Sequence, residues 1–438
     1  LPKSHQERLE SHWRQIVKTI PLRHGAWRYS RTLRANEPVQ GWKVHLSATL
    51  RSAGRVFSLA RPILRKHGVL FKVPQRLEVL AALNSGFVGF SQIGKFLTAY
   101  SRSDAEAVSL ARELHAATRE LEGPHIPFDV RYRKNSIVYY RYGAFLNLGE
   151  KDGNGTIVDS AGRTRRDVRD RAHAVPRWRD DPFRPGGVRS PTPSLRHPFG
   201  PDLLPIKAIM QRGKGAVYKA LDLSVLPARF VIVKEGRRHG ESNWLGVDGF
   251  AQIRHEGRVL RQLERAGVAV PAVLREFTRD QSHYLVLEMV RGRPLLARNG
   301  LQPAKFSWRR SLILLDRIGA ALAAIHRAGY VWRDCKPEHI FFQGRQIRLV
   351  DFEGTCRIGQ TDVQPWGSPN YIPPSCRDEI CRRPGTLEDD YALGVIAFQF
   401  GTGKFPPASA RSRAVLYNRT QCPNPLRQKI ERLLHSKI

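Results

Sequence analysis

The stretch from Tyr330 to Gly354, YVWRDCKPEHIFFQGRQIRLVDFEG, constrains this chain more than any other. Arg333-Asp334 comes first, Lys336 follows, and a β-rich run then leads to Asp351-Phe352. A carboxylate to orient or deprotonate a hydroxyl, a lysine to neutralise the phosphate in flight and a second carboxylate for Mg²⁺ occur here in the order that phosphoryl transfer needs. Phosphoryl transfer is therefore the first expectation.

The residues before and after this stretch extend the pattern. IKAIMQRGKGAVYKALDL reads as strand, glycine-rich turn and strand, and Gly213 and Gly215 would let backbone amides approach ATP phosphates, although RGKG also suits any hairpin. ARFVIVKEG is a third strand, carrying Lys234. Glu256 lies 22 residues further on, in the helix GFAQIRHEGRVLRQLERAG, and is expected to pair with Lys234 so that the ammonium points at the α/β-phosphates. HYLVLEMVRG resembles a strand and hinge, with Glu288 to Val290 as adenine-contacting backbone. A long apolar helix, 311–328, would brace the catalytic loop, GSPNYIPPS (367–375) would position a peptide, and Asp389 in EDDYALG would support the loop from a buried helix. The ordered set resembles a bilobal protein-kinase-like fold over 201–438, with an N-lobe at about 201–290 and a C-lobe at about 291–438.

Four positions depart from the kinase pattern. Trp332 replaces the usual histidine, Glu353 the glycine after Asp351-Phe352, and Ser375 the glutamate of the following triplet. His339 stands where a second metal-binding asparagine is expected. Imidazole is a poor ligand for hard Mg²⁺, so either Asp351 holds one ion with waters or turnover is slow.

The first third of the chain has another character. Residues 1–38 read as a helical arm in which charged residues alternate with Trp13, Ile16, Val17, Ile20 and Leu22. Residues 39–147 read as a compact α+β domain with strands in GWKVHLSATL, VLFKV, GKFLTAY and SIVYYRYGAF. Lys43 and His45 share one face of their strand, Lys72 interrupts an apolar strand and Lys95 begins another. An unpaired buried cation is costly, so these residues either lie on solvent faces or share an anion. With Arg141 inside VYYRYGAF, the set favours a phosphate site.

GWKVHLSA, VLFKV, GKFLTAY and VYYRYGAF together resemble the N-terminal lyase domain of class III and IV lanthipeptide synthetases, itself similar to the phosphothreonine lyases of bacterial effectors. The resemblance implies elimination of phosphate from phosphoserine or phosphothreonine. It makes Lys72 the base for the Cα proton and His45 the acid for the leaving phosphate, with Lys43, Lys95 and Arg141 gripping that phosphate. The residue types suit the work: neighbouring cations and burial lower a lysine's pKa, histidinium donates a proton near neutrality, and guanidinium grips phosphate in bidentate fashion. Asp129 and Tyr132 are expected to orient the histidine or the substrate.

Between the two regions, 148–200 is rich in Gly, Asp, Arg and Pro without periodicity, and reads as a basic flexible linker. The chain carries 73 Lys+Arg against 39 Asp+Glu, a net charge of +34, which suits a polyanionic partner or simply reflects a general arginine bias. Nucleic acid is not expected, because no aromatic-plus-basic RNA motif or DNA-reading helix pattern occurs. No run of 18 apolar residues suggests a membrane span. The five cysteines form no CxxC pair and no zinc site, and with no secretory signal they point to a cytoplasmic protein.

The expected activity is a two-step dehydration of a ribosomal precursor peptide using ATP and Mg²⁺: phosphorylation of Ser or Thr, then elimination to a dehydroamino acid. The cyclase of such synthetases is missing. Either the sequence is truncated, or a cyclase acts in trans, or the product stays linear. The alternatives are a stand-alone protein or small-molecule kinase with an N-terminal docking module, and a pseudokinase scaffold.

Overall fold

The computed structural model describes residues 5–145, 155–170, 173–184, 199–296, 304–344, 346–361, 363–376 and 383–435. The chain divides into two compact units, the first made of Leu1–Ala228, Lys234–Gln252 and Thr278–Tyr284, the second of Arg229–Val233, Ile253–Phe277 and Leu285–Ile438.

The first unit is built on α1 (His5–Val17), β1 (Leu22–His24), β2 (Trp27–Tyr29), β3 (Gln40–Leu46), α2 (Ala53–His67), β4 (Leu70–Pro74), α3 (Leu77–Ser85), β5 (Leu97–Tyr100), α4 (Asp104–Thr118), β6 (Val130–Arg131) and β7 (Val138–Ala144). The strands form an antiparallel sheet in the order β1-β2-β4-β5-β3-β7-β6. Alternation along β3 explains its two faces. Trp42, Val44 and Leu46 point into a core shared with Phe57, Leu64, Leu110 and Leu114, while Lys43 and His45 point the other way. Burying each large apolar side chain contributes on the order of 2–3 kcal/mol, which fixes the register and so commits the alternate residues to the opposite face.

Two boundaries expected in this region change. The helical arm packs on the next domain, and residues 5–38 are part of it: the Trp13 indole donates to Pro74 O at 3.1 Å and packs edge-on against Phe57, and β1 and β2 continue the sheet beyond β4. The described parts of 148–200 also fold onto it. β8 (Thr156–Val158) and β9 (Thr164–Arg166) form a hairpin joined to β3 through Gln40, whose Nε2 donates to Val158 O at 2.9 Å. Phe183 stacks on Tyr140 at 3.8 Å, and Trp178 meets Tyr142 edge-on. Aromatic packing by isolated residues leaves no periodicity to read, which is why the segment resembled a tether. The rest of that linker, 148–154, 171–172 and 185–198, lies outside the described residues.

Further on, β10 (Leu203–Arg212), β11 (Gly215–Asp222), β12 (Arg229–Arg237), β13 (Val273–Arg279) and β14 (Ser282–Glu288) form a sheet in the order β10-β11-β12-β14-β13, with α5 (Gly249–Arg265) between β12 and β13 in sequence. In the second unit, α6 (Trp308–Arg327) buries Leu314, Leu315, Ile318, Leu322 and Ile325 along one face. Its Ser307 cap accepts from the Arg310 amide. α7 (Thr386–Thr402) is buried on nearly every side. Among the described residues, no helix is long and apolar enough to cross a membrane.

Candidate functional site

On the sheet face opposite the core, one rung runs Tyr29–Lys72–Thr98–His45–Tyr139 and the next runs Tyr100–Lys43–Arg141. Residues two apart on a strand share a face, so Lys43, His45, Lys72 and Arg141 come together as expected. Lys95 joins them from the turn before β5 rather than from the strand.

Two carboxylates organise these cations. Asp129, fully buried, places Oδ2 2.5 Å from His45 Nδ1 and Oδ1 3.1 Å from Lys95 Nζ. Asp167 holds Arg141 at 2.5 Å and lies 3.8 Å from Lys43 Nζ, which also donates to Ala144 O at 2.6 Å. Gly143 makes this approach feasible, since a Cβ there would sit 2.6 Å from Asp167 Oδ2. Asp167 lies in the segment expected to be linker, as does Arg169, which stands within electrostatic reach of Lys43, Lys72 and Lys95. Neither was found in the sequence. Tyr132, expected near the histidine, packs into the apolar core instead.

Five cationic side chains, Lys43, Lys72, Lys95, Arg141 and Arg169, thus surround two carboxylates, and the imbalance shows in their protonation. Burial pushes Lys72 down to about 8, with Lys95 and Arg169 adding repulsion. Lys43 falls to about 7, mainly through burial, with Arg141 and Lys95 adding to it against the pull of Asp167. Burial would raise the Asp129 carboxyl, but Lys95 and His45 outweigh it and hold the group below the usual range. Burial also pushes His45 down to about 4 despite Asp129, with Lys95 and Lys43 assisting. Burial and the two lysines thus work against the histidinium expected here, while Asp129 favours it. The Lys72 ammonium lies over the Trp27 ring at 4.3 Å, with no carboxylate partner among the described residues.

The glycine-rich turn joins β10 to β11 as a tight hairpin closed by the pair Arg212↔Gly215. Packing explains both glycines. A Cβ on Gly213 would lie 1.6 Å from Asn84 O, and one on Gly215 would lie 1.7 Å from Glu235 O. The Gly213 amide, expected to face a phosphate, instead donates to Ser85 O at 3.0 Å. Lys234, on β12, is buried.

In the second unit, Asp389 accepts from the backbone amides of Trp332 (2.9 Å) and Arg333 (2.7 Å) and from His326 Nε2 (2.8 Å). It supports the loop as expected. Arg333 takes φ +71° and Asp351 φ +68°, a conformation that non-glycine residues adopt only when their surroundings impose it. Arg333 is held further by Glu388 at 3.0 Å, and the Trp332 indole donates to Asp351 O at 2.9 Å. Trp332 therefore ties the catalytic loop to the second carboxylate.

Asp334 Oδ2 receives Lys336 Nζ at 3.3 Å and His339 Nδ1 at 3.1 Å, while His339 Nε2 lies 3.3 Å from Asp351 Oδ2. Lys336 also donates to Ser368 Oγ at 3.1 Å, at an open groove of about 530 Å³ lined in part by Tyr371, Gln399 and Lys404. Glu256, fully buried, accepts from the Phe352 amide at 2.9 Å. The Glu288 amide donates to Ala272 O and its carboxylate pairs with Arg348, and Val290 is buried two residues on. Asp334, His339 and Asp351 offer ligand atoms within 4.8 Å of one another, as do Glu256, Asp351 and Glu353. Both donor sets fit a divalent cation.

Comparison with known proteins matches the protein kinase domain family over residues 209–434, more than half of the chain. The chain belongs to the protein kinase family. In this kinase, residues 4–188 match the RamC N-terminal domain, so the two-part resemblance read from the sequence holds in both parts. A probable SapB synthase of Streptomyces coelicolor is 30% identical over 392 residues, covering 85% of this chain and 40% of that protein. The kinase also resembles the serine/threonine-protein kinases pkn2 of Myxococcus xanthus (32% identical, 35% of this chain and 19% of that protein) and PknA of Mycobacterium tuberculosis (28% identical, 50% of this chain and 51% of that protein). The chain spans between a fifth and about half of the length of these relatives. Protein kinases as a family use ATP and a divalent ion.

Proposed function

We propose that this chain dehydrates Ser or Thr residues of a ribosomally made precursor peptide in two steps, phosphorylating the hydroxyl and then eliminating the phosphate. The observation that carries this reading is the cation surplus around Lys43, Lys72, Lys95, Arg141 and Arg169 in a chain that also carries kinase machinery. A buried surplus of positive charge calls for an anion, and the phosphate made by the first step supplies one.

In the first step, a peptide in the groove beside Lys336 presents its hydroxyl to Asp334, which orients it and takes its proton as the γ-phosphoryl of ATP arrives. Lys336 neutralises charge on the transferred group. The Glu288 carbonyl and the Val290 backbone hold adenine, and Glu256 belongs to the nucleotide side. Asp351 would hold a divalent ion, Mg²⁺ in this reading, whose charge would offset that of the phosphates.

In the second step, Lys43, Lys95, Arg141 and Arg169 bind the phosphate ester. Neutral Lys72 removes the Cα proton, the C–H electrons become the Cα=Cβ bond, and the Cβ–O bond breaks with its pair going to phosphate. His45 delivers a proton to that oxygen. Because burial works against its imidazolium, the proton comes with the bound phosphate, whose negative charge raises the His45 pKa on binding. Asp129 fixes the ring and steadies the imidazolium while it lasts.

The test follows peptide mass after incubation with ATP, Mg²⁺ and a Ser/Thr-rich precursor peptide. Addition of phosphate followed by net loss of water is expected. Asp334→Asn should leave the peptide unmodified yet still eliminate phosphate from a synthetic phosphopeptide, whereas Lys72→Ala should accumulate phosphopeptide. A phosphopeptide that persists with the unaltered protein would exclude the lyase step.

A further inference from the structure

We infer that His339 and Asp351, with Asp334 behind the imidazole, form a mixed nitrogen and oxygen site that selects a first-row transition ion, Mn²⁺ being the one tested, over Mg²⁺. The inference rests on the phosphotransferase reading of this loop, and it gives His339 a role as ligand in place of the weak substitute for asparagine that the sequence suggested.

Three features carry it. His339 Nδ1 lies 3.1 Å from Asp334 Oδ2 and 3.2 Å from the Asp334 carbonyl oxygen, so it faces two acceptors and holds its proton there. Nε2 faces Asp351 Oδ2 at 3.3 Å, and with the proton kept on Nδ1 its lone pair is available to an ion entering between them. Metal-bound histidines characteristically donate their second nitrogen to a carboxylate or carbonyl in this way, which fixes the ring and raises its basicity.

The span between the donors also suits one ion. Two neighbouring ligands about 2.1 Å from a common ion stand roughly 3 Å apart at right angles, close to the Nε2–Oδ2 separation. The ring cannot turn aside easily. It packs 6.4 Å from Trp332, whose indole is bonded to Asp351 O, so the same residue braces both ligands.

The donor chemistry then sets the preference. Mg²⁺ takes oxygen ligands and sheds water reluctantly, so an imidazole in its shell is a loss compared with an amide oxygen. First-row ions, Mn²⁺ among them, accept imidazole and carboxylate together. Asp334 Oδ1 remains for the hydroxyl, so the site does not require the catalytic carboxylate to leave its work.

The experiment uses the full chain with a non-hydrolysable ATP analogue and Mn²⁺, read by electron spin echo modulation with and without ¹⁵N-histidine labelling. A directly bound histidine nitrogen is expected in the unlabelled protein, and its signal should change isotope on labelling. Mg²⁺ should displace Mn²⁺ about tenfold more readily from His339→Asn than from the unaltered protein, a change at the low end of what loss of a metal-shell residue produces. Bound Mn²⁺ without histidine coupling would overturn the inference, as would equal displacement in the two proteins or no Mn²⁺ binding at all. The labelled unaltered protein decides the matter even if His339→Asn folds poorly. Mg²⁺-supported phosphorylation of peptide is measured separately, so loss of the metal inference leaves the dehydration reading standing, and the reverse also holds.

Discussion

His45 Nδ1 lies 2.5 Å from Asp129 Oδ2, and the second oxygen of that buried carboxylate meets Lys95 at 3.1 Å. One aspartate thereby sets both the ring proposed to deliver a proton and a cation proposed to receive the phosphate. Asp129→Asn keeps the shape and removes the charge that steadies an imidazolium. Elimination from a synthetic phosphopeptide should fall on the order of 10²-fold, with phosphopeptide formation from ATP retained. A time course by mass spectrometry reads both, and an unchanged elimination rate would remove Asp129 from the mechanism.

Lys72 should impose a pH dependence. With its pKa pushed down to about 8, the neutral base becomes more abundant as pH rises, so elimination should climb through pH 7 and level off above about 8. Lys72→Arg, which stays protonated throughout, should show no such rise and almost no elimination.

Stability depends on the same lysine. Its folded pKa of about 8 lies below the ordinary 10.5, so between those values the unfolded chain binds more protons and stability increases with pH. Below about 8 that contribution is absent, and the buried charge opposes folding. Lys72→Met should therefore stabilise the protein at pH 7 by about 1–3 kcal/mol, with the gain shrinking toward pH 10.5. Urea denaturation at pH 7 and pH 10 tests the sign.

Asp389→Ala removes the acceptor for two backbone amides and for His326. Unsatisfied buried groups cost about 1–3 kcal/mol each, and Arg333 loses what holds it at positive φ. A melting temperature several degrees lower and a loss of phosphorylation larger than the loss of folded protein are expected. Elimination from phosphopeptide should persist in whatever fraction stays folded.

Gly213→Val places a branched side chain where even a Cβ would lie 1.6 Å from Asn84 O. The hairpin must leave Ser85, and hydrogen exchange at residue 213 should accelerate while a control such as Val44 stays protected. Retained protection at 213 would contradict the packing described.

The sequence made half of each site legible, for a physical reason. Lys43 and His45 stand out because period-two alternation is forced by a core that accepts Trp42, Val44 and Leu46, and a cation in that pattern is conspicuous. Asp334, Lys336 and Asp351 stand out because their chemistry fixes their spacing. Asp167 and Arg169 do not, since they reach the sheet face from a stretch whose contacts are single side chains without repeat. Trp27 sits on a three-residue strand, too short for any periodicity, and α3 was missed because LEVLAALNS follows a strand without a clear capping signal. The downward push on the His45 pKa comes from burial and from neighbours in space, which no local reading supplies.

The contact between the Gly213 amide and Ser85 O bears on where this protein can be cut. Family resemblance ends one region at 188 and begins the next at 209, which invites a fragment starting near 200 as an independent enzyme. Yet the Arg212 guanidinium lies over the Phe87 ring at 4.6 Å, Arg51 donates to Leu245 O at 3.0 Å, and the compact unit runs on to Ala228. Such a fragment would begin life with a torn edge, its first hairpin having lost its seat, so a feeble excised kinase would report on the incision rather than on the catalyst.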